Sequence, residues 1–233
     1  MITRRRSAPT RSVAGCLRLF LVVVALAALL GSTLTAHAQT AQTLTVGQGQ
    51  AYATLNEALV AAHDGDTIEV HGGVYPAIVV DKSVSLIGLD QPVIDGSGQG
   101  TVVRLAAPNT LLQGFVVRGS GSEPDRDHAG VTVTGAGSVV ASNQLEDVLF
   151  GVYVSEADDV IVNDNDITSK ASFEEARKGD GIRVWYSDGV QLTGNTVHEA
   201  RDIVLWYSND LVLSGNRVTH GRYGVHFMYC DGA

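Results

Sequence analysis

Between Gly181 and Ala233 one segment is written three times: GIRVWYSDGVQLTGNTVHEA, DIVLWYSNDLVLSGNRVTHG and GVHFMYCDGA. Trp185 aligns with Trp206 and then Met228, Tyr186 with Tyr207 and Tyr229, and Asn195 with Asn216, at offsets of 21 and then 22. A repeat this short admits few folds. Helical-pair repeats need a longer unit and a 3.6-residue period. Leucine-rich repeats have the right length but need a leucine framework, and here the framework is Val and Ile with Asn. The pattern predicts an all-β chain: a right-handed parallel β-helix of three short strands and three turns per coil, stacked about 4.8 Å apart.

Coils open near Gly100, Gly130, Gly151, Gly181, Asp202 and Gly224, at spacings of 30, 21, 30, 21 and 22. The two long intervals hold insertions, Gly119 to His128 and Ser169 to Asp180, which should leave the stack at the same corner. Alternation predicts inward-facing Val131 and Val133, Val152 and Val154, Ile182 and Val184, Ile203 and Leu205, and Val225 and Phe227. Val160, Val162, Val190, Leu192, Leu211 and Leu213 should fill a second face. Asn143, Asn165, Asn195 and Asn216 should form a ladder at one turn, each in a left-handed conformation and bonded to its copies. One coil buries too little apolar surface to offset the entropy of ordering its backbone, so stability must come from stacking. Because the sequence stops at Ala233 partway through a coil, the β-helix is expected to be incomplete at its C-terminus.

The N-terminal end reads differently. Arg4, Arg5, Arg6, Arg11 and Arg18 surround the start of an apolar run, Leu19 to Leu30, that is short for a membrane span. Ala36-His37-Ala38 fits a cleavage site, so residues 1–38 are expected to be a signal peptide that exports a periplasmic chain starting at Gln39. Removing five Arg and no acids takes the net charge from −9 to −14. Such a chain repels phosphate backbones, which argues against nucleic acid as a partner. Cys16 would leave with the signal, so Cys230 has no partner for a disulfide. Residues 39–75 read as an N-terminal cap: a strand from Thr43 to Gly47, a capping box Thr54-Leu55-Asn56-Glu57, a capping helix packed through Leu55, Ala58, Leu59 and Ala62, and a first strand Thr67–Val70. His63-Asp64-Gly65 should end the helix with a residue at positive φ. The β-helix proper then spans 76–233.

Residues spare to the core are where chemistry would live. Two outward columns follow from the alternation: Tyr153, Arg183, Val204, His226, and Ser155, Trp185, Trp206, Met228. An exposed Trp stacked on a Trp marks either a sheet-stabilising ladder or a partner surface, and Arg183, Trp185, Trp206 and Tyr229 are the candidate partner face. His226 and Met228 share that face. Cys230 lies two positions further on, past a turn that leaves its direction open, and His220 lies in the preceding turn. Imidazole, thioether and thiol together favour a soft metal such as Cu(I), with His226 and Met228 as the candidate ligands. Alternatively, the two simply end the aromatic column. An enzymatic reading centres on Asp125-Arg126-Asp127-His128 in the first insertion: carboxylates beside His and Arg suit elimination or epimerisation of uronic acids, with Trp185 and Trp206 stacking on sugar rings. That loop reads equally as a solvated one, and a non-enzymatic binding protein is the preferred reading. A passive adhesive solenoid is a third.

The segment from Gly179 to Tyr229, with its paired WYS elements and RYGVHFMY, resembles the NosD family of periplasmic maturation proteins for nitrous-oxide reductase. Tyr52 to Ile94 is similar, less specifically, to the opening coils of the pectate-lyase-like β-helix superfamily. The resemblance implies a periplasmic β-helix that works with the membrane and ATPase subunits of an ABC transporter. It also implies a role in building the copper–sulfur centre of nitrous-oxide reductase, with copper handed on from a chaperone lipoprotein. It assigns no copper ligand residue by residue, and it implies later coils beyond Ala233.

Overall fold

The computed structural model describes residues 40–232; the expected signal peptide lies outside them. The chain is a right-handed parallel β-helix, with one short α-helix among the described residues, Leu55–Ala61, ahead of most of its coils. Three parallel sheets of eight, seven and seven strands form its faces. The first sheet begins with Thr43–Val46 and Thr67–Val70 and ends with Val212–Ser214. The second runs from Val74–Pro76 to Arg217–Thr219, and the third from Ile78–Val80 to Gly224–Met228. The chain visits the sheets in that order, coil after coil, so residues one repeat apart become hydrogen-bonded neighbours. Val152 pairs with Ile182, Ile182 with Ile203 and Ile203 with Val225.

Inward residues are Val, Ile and Leu because each rung must fill the same narrow space. Val131, Val133, Val152, Val154, Ile182, Val184, Ile203 and Leu205 are fully buried, as are Val160, Val162, Val190 and Leu192. Val225 and Phe227 depart from the expectation. They are in register with Ile203 and Leu205 but are 40% and 46% exposed. An inward side chain is covered by the rungs on both sides, and among the described residues no rung follows theirs.

The asparagine ladder forms between the first and second sheets. Asn143 Nδ2 donates to Asn165 Oδ1 (3.1 Å), Asn165 Nδ2 to Asn195 Oδ1 (3.0 Å), and Asn195 Nδ2 to Asn216 Oδ1 (2.9 Å). Each of the accepting carboxamide oxygens also takes the backbone N–H of the Asn below it. The expected left-handed backbone at Asn is not found. The residue before each Asn carries it: Ser142, Asp164, Gly194 and Gly215, at φ of 52°, 55°, 65° and 66°. The turn therefore puts its strained position outside, and the Asn side chain is free to point in. Phe115 occupies the next place down, donating its N–H to Asn143 Oδ1.

The helix Leu55–Ala61 starts with the expected reciprocal box, Thr54 Oγ1 accepting from Glu57 N–H and Glu57 Oε2 from Thr54 N–H. Leu55, Ala58 and Leu59 bury against the first strands. Its end differs from the expectation: Ala62 turns extended (φ −65°, ψ 156°), and the positive φ waits until Gly65. The terminal carbonyls are capped by a side chain from the next coil instead. Lys82 Nζ donates to Leu59, Val60 and Ala62 oxygens at 2.8, 2.8 and 2.7 Å, placing its charge at the negative end of the helix.

Candidate functional site

The outward face of the third sheet carries the predicted columns. Tyr153, Arg183, Val204 and His226 lie side by side, as do Ser155, Trp185, Trp206 and Met228. Their surroundings separate residues that the alternation alone treats alike. Arg183 is held tightly. Its guanidinium donates to Asp180 Oδ2 (2.9 Å) in the second insertion and to Asp127 Oδ1 (3.1 Å) in the first, and lies 4.1 Å over the Phe150 ring. It ties both insertions to the sheet. Val204 is buried although it points outward.

Trp185 and Trp206 meet edge to face, with centroids 5.1 Å apart and planes at 63°, rather than in the expected stack. Both are half-buried, and Trp206 Nε1 is buried without a hydrogen-bond partner. The stacking is found one residue later. Tyr186 and Tyr207 lie 4.7 Å apart at 5°, and Tyr207 and Tyr229 4.8 Å apart at 9°. These three stand outward at the corner between the third and first sheets, all at left-handed φ (45°, 51° and 56°).

His226 and Met228 alternate on the strand Gly224–Met228, so both project from its outer face, about 6.6 Å apart along the strand. The His226 ring is 6.4 Å from Trp206 and 5.8 Å from Tyr223. Met228 is the register partner of Trp206. Cys230 is turned away from them: its Sγ contacts the carbonyl oxygens of Leu205 (3.3 Å) and Met228 (3.5 Å) and packs on the core. It stands where Ser187 and Ser208 stand in the preceding coils, their hydroxyls bonded to the Trp185 and Trp206 carbonyls. His220 pairs with Glu199 (3.3 Å) in the turn before that strand. Among the described residues no three His, Cys, Asp or Glu side chains gather as a metal cluster.

Both insertions leave between the second and third sheets, and a cleft of about 400 Å³ opens between them. Leu149 and Phe150 line it from the sheet, Phe173, Arg177 and Lys178 from the second insertion. Sequence reasoning placed the loops at one corner but missed the small apolar cluster of Ala129, Leu149 and Phe150 there, because these residues stand just before the coil openings at Gly130 and Gly151, outside the alternating positions. The cations of the cleft are largely engaged: Arg183 by Asp180 and Asp127, Lys178 by Glu199 (3.0 Å), and Arg177 over the Phe173 ring (4.5 Å). In the Asp125–His128 segment, Asp127 binds Arg183, Arg126 pairs with Glu123 (2.9 Å), and His128 Nδ1 accepts the Glu123 N–H (3.3 Å). Asp125 lines the cleft.

Comparison with known proteins gives two kinds of likeness. Residues 164–233 match the family described as periplasmic copper-binding protein (NosD). The chain is 32% identical over 112 residues to a probable ABC transporter binding protein NosD of Stutzerimonas stutzeri, covering 47% of this chain and 26% of that protein. It is 29% identical over 126 residues to the protein of the same description from Pseudomonas aeruginosa, covering 53% of this chain and 29% of that one. The matched segments thus span little more than a quarter of these relatives. Among solved structures, the A-module of mannuronan C-5 epimerase AlgE6 from Azotobacter vinelandii superposes with a TM-score of 0.55 at 16% identity, over 73% of this chain and 51% of that one. Pectate lyase Pel9A superposes with a TM-score of 0.50 at 9% identity, over 77% and 62%. At these identities the structural likeness concerns the β-helix fold alone.

Proposed function

We propose that this chain is a non-catalytic periplasmic binding and delivery protein whose cargo is copper. In this reading it acts with an ABC transporter in assembling the copper–sulfur centre of nitrous-oxide reductase. The observation that carries the reading is where the family match falls: residues 164–233 cover the coils with the aromatic columns, His226 and Met228. The relatives are themselves described as ABC transporter binding proteins.

On this reading His226 and Met228 take Cu(I) from a chaperone lipoprotein by ligand exchange at the open face. An imidazole and a thioether are soft enough to hold Cu(I), and a site with few protein ligands gives it up again to an acceptor. The Trp206 indole lies beside both side chains. The thiol of Cys230 points inward, away from this pair, so the donor set is nitrogen and thioether sulfur. Trp185, Trp206 and Tyr229 form the surface that meets donor, acceptor or transporter, and Arg183 braces the insertions beside it.

The test is Cu(I) affinity of the mature chain, measured by competition with a chromophoric chelator. The H226A/M228A double variant is expected to bind at least tenfold more weakly, with C230S unchanged. Equal affinity in the double variant removes the pair from the proposal. The carboxylates beside His128 and Arg126 in the first insertion set the competing outcome: release of unsaturated uronides by the purified protein, lost in Asp127→Ala, would replace this reading with a lyase.

A further inference from the structure

The cleft between the two insertions takes no part in the copper reading, and its walls have a definite chemistry. Sixteen Lys and Arg occur in the chain, five of them within residues 1–38; four of the other eleven, Arg177, Lys178, Arg183 and Arg201, line this one cleft. They are not equally satisfied. Lys178 has Glu199 (3.0 Å), and Arg183 has Asp127 (3.1 Å) and Asp180 (2.9 Å). With Asp180 held by Arg183, Arg201 keeps only a long approach to the same carboxylate, at 3.9 Å. Arg177 lies over the Phe173 ring, which carries no counter-charge. Among the described residues, neither the Arg177 nor the Arg201 guanidinium donates a hydrogen bond. The cleft lies within the stack and not on its last rung: one coil further on, Arg222 N–H donates to the Arg201 oxygen (2.8 Å).

The rest of the lining is largely apolar. Leu149 and Phe150 face the cleft from the sheet, and Phe173, packed on the same apolar cluster, faces it from the second insertion. A space of about 400 Å³ suits a small molecule rather than a chain segment. Guanidinium forks match a planar carboxylate, and phenyl and leucine side chains match a flat apolar body. A chain this acidic repels anions over most of its surface, so a site for one must gather cations, as this cleft does. Asp125, the one carboxylate among the lining residues, has no ion pair among the described residues and opposes such a ligand.

We propose that this cleft binds a small organic carboxylate with a flat apolar body. Arg177 and Arg201 receive the carboxylate, and Leu149 and Phe173 meet the body. Lys178 and Arg183, whose charges are already paired, hold the walls in place. The inference does not depend on copper.

The probe is 2-naphthoate, titrated calorimetrically into the purified protein without copper. Saturable binding is expected, about tenfold tighter than that of the neutral 2-naphthamide. Arg177→Gln with Arg201→Gln touches no hydrogen bond of the fold and is expected to bind about tenfold more weakly. Arg104→Gln with Arg217→Gln removes the same charge outside the cleft and should leave binding unchanged. Asp125→Asn should strengthen binding; a loss there would mean that the cleft takes a cation and overturns the proposal. Galacturonate, a carboxylate on a polar ring, should bind about tenfold more weakly than naphthoate. Absence of saturable binding, equal binding of the amide, or unchanged binding by the Arg177 and Arg201 variant overturns the proposal. Galacturonate binding as tightly as naphthoate does so too, and makes the cleft a sugar-acid site. Retention of naphthoate binding by H226A/M228A separates this proposal from the copper reading, since either can fail alone.

Discussion

Asn195 shows how much one residue carries in this architecture. Its oxygen accepts from Asn165 N–H and Nδ2, and its own Nδ2 donates to Val162 O (2.8 Å) and Asn216 Oδ1. Asn195 is fully buried, so Asn195→Ala leaves several polar groups of neighbouring coils unpaired. We expect a loss of about 3 kcal/mol in unfolding free energy, measured by urea denaturation. Asp66 is a second such residue. It is buried and accepts the backbone N–H of Gln42 and of His63, both at 2.8 Å. Those two bonds, Gln42 first, hold its carboxyl below the ordinary 3.8. Its folded pKa is depressed, so the stabilisation is complete above the unfolded value and is lost as pH falls through the folded one. Urea midpoints measured on acidification below about pH 4 should fall, and Asp66→Asn should flatten that decline. The asparagine ladder was legible in the spacing alone. Its backbone was misjudged because conformational tolerance and inward hydrogen bonding are both asparagine traits, and the turn divides them between two neighbouring residues.

At the scale of elements, the helix Leu55–Ala61 has two ends of different origin. Thr54 and Glu57 are local, and the capping box was read from four consecutive residues. The other end depends on Lys82, which reaches three carbonyls from the following coil. No local pattern announces such a cap, which is why the sequence pointed to Gly65 instead. Lys82→Met should keep the packing of the stem but lose those charge-assisted bonds. A drop of about 1–2 kcal/mol is expected, with amide hydrogen exchange accelerating first in the helix. The outward columns show the same division. Alternation placed Arg183, Trp185, Trp206, His226 and Met228 on one face. It gave no means of telling the clamped Arg183 from the half-open Trp pair, since the clamp comes from Asp127 and Asp180 in two separate insertions.

For the whole molecule, the register of the stack is the same with and without the second insertion. The second insertion lies between Val152 and Ile182 and lengthens that interval, while none separates Ile182 from Ile203, yet both pairs sit in the same register. Excising residues 170–178 makes the two intervals equal. The shortened chain should keep its β-sheet circular dichroism and a cooperative melt while losing the cleft, although it gives up the Lys170 and Lys178 ion pairs. A collapse of the stack would mean that the insertion supports it. Close stacking limits other changes more severely: a Cβ at Gly151 would run into the Gly181 carbonyl of the next coil and the Ile167 side chain. Gly151→Val should therefore abolish folding, read as insoluble expression, because the backbone carbonyl it meets cannot yield.

The short repeat determined the coil, its inward residues and the columns on its face, because register in a parallel stack converts distance along the chain directly into neighbourhood in space. That much of the candidate site was decided by the sequence: His226 beside Met228, Trp185 beside Trp206, Tyr186 beneath Tyr207 and Tyr229. Tertiary structure alone decided which way each corner side chain turns and what reaches it from other coils. It turned Cys230 in and the tyrosines out, set the two Trp rings edge to face and locked Arg183 between two loops. These choices depend on contacts among residues that share no period, and a repeat can carry no record of them.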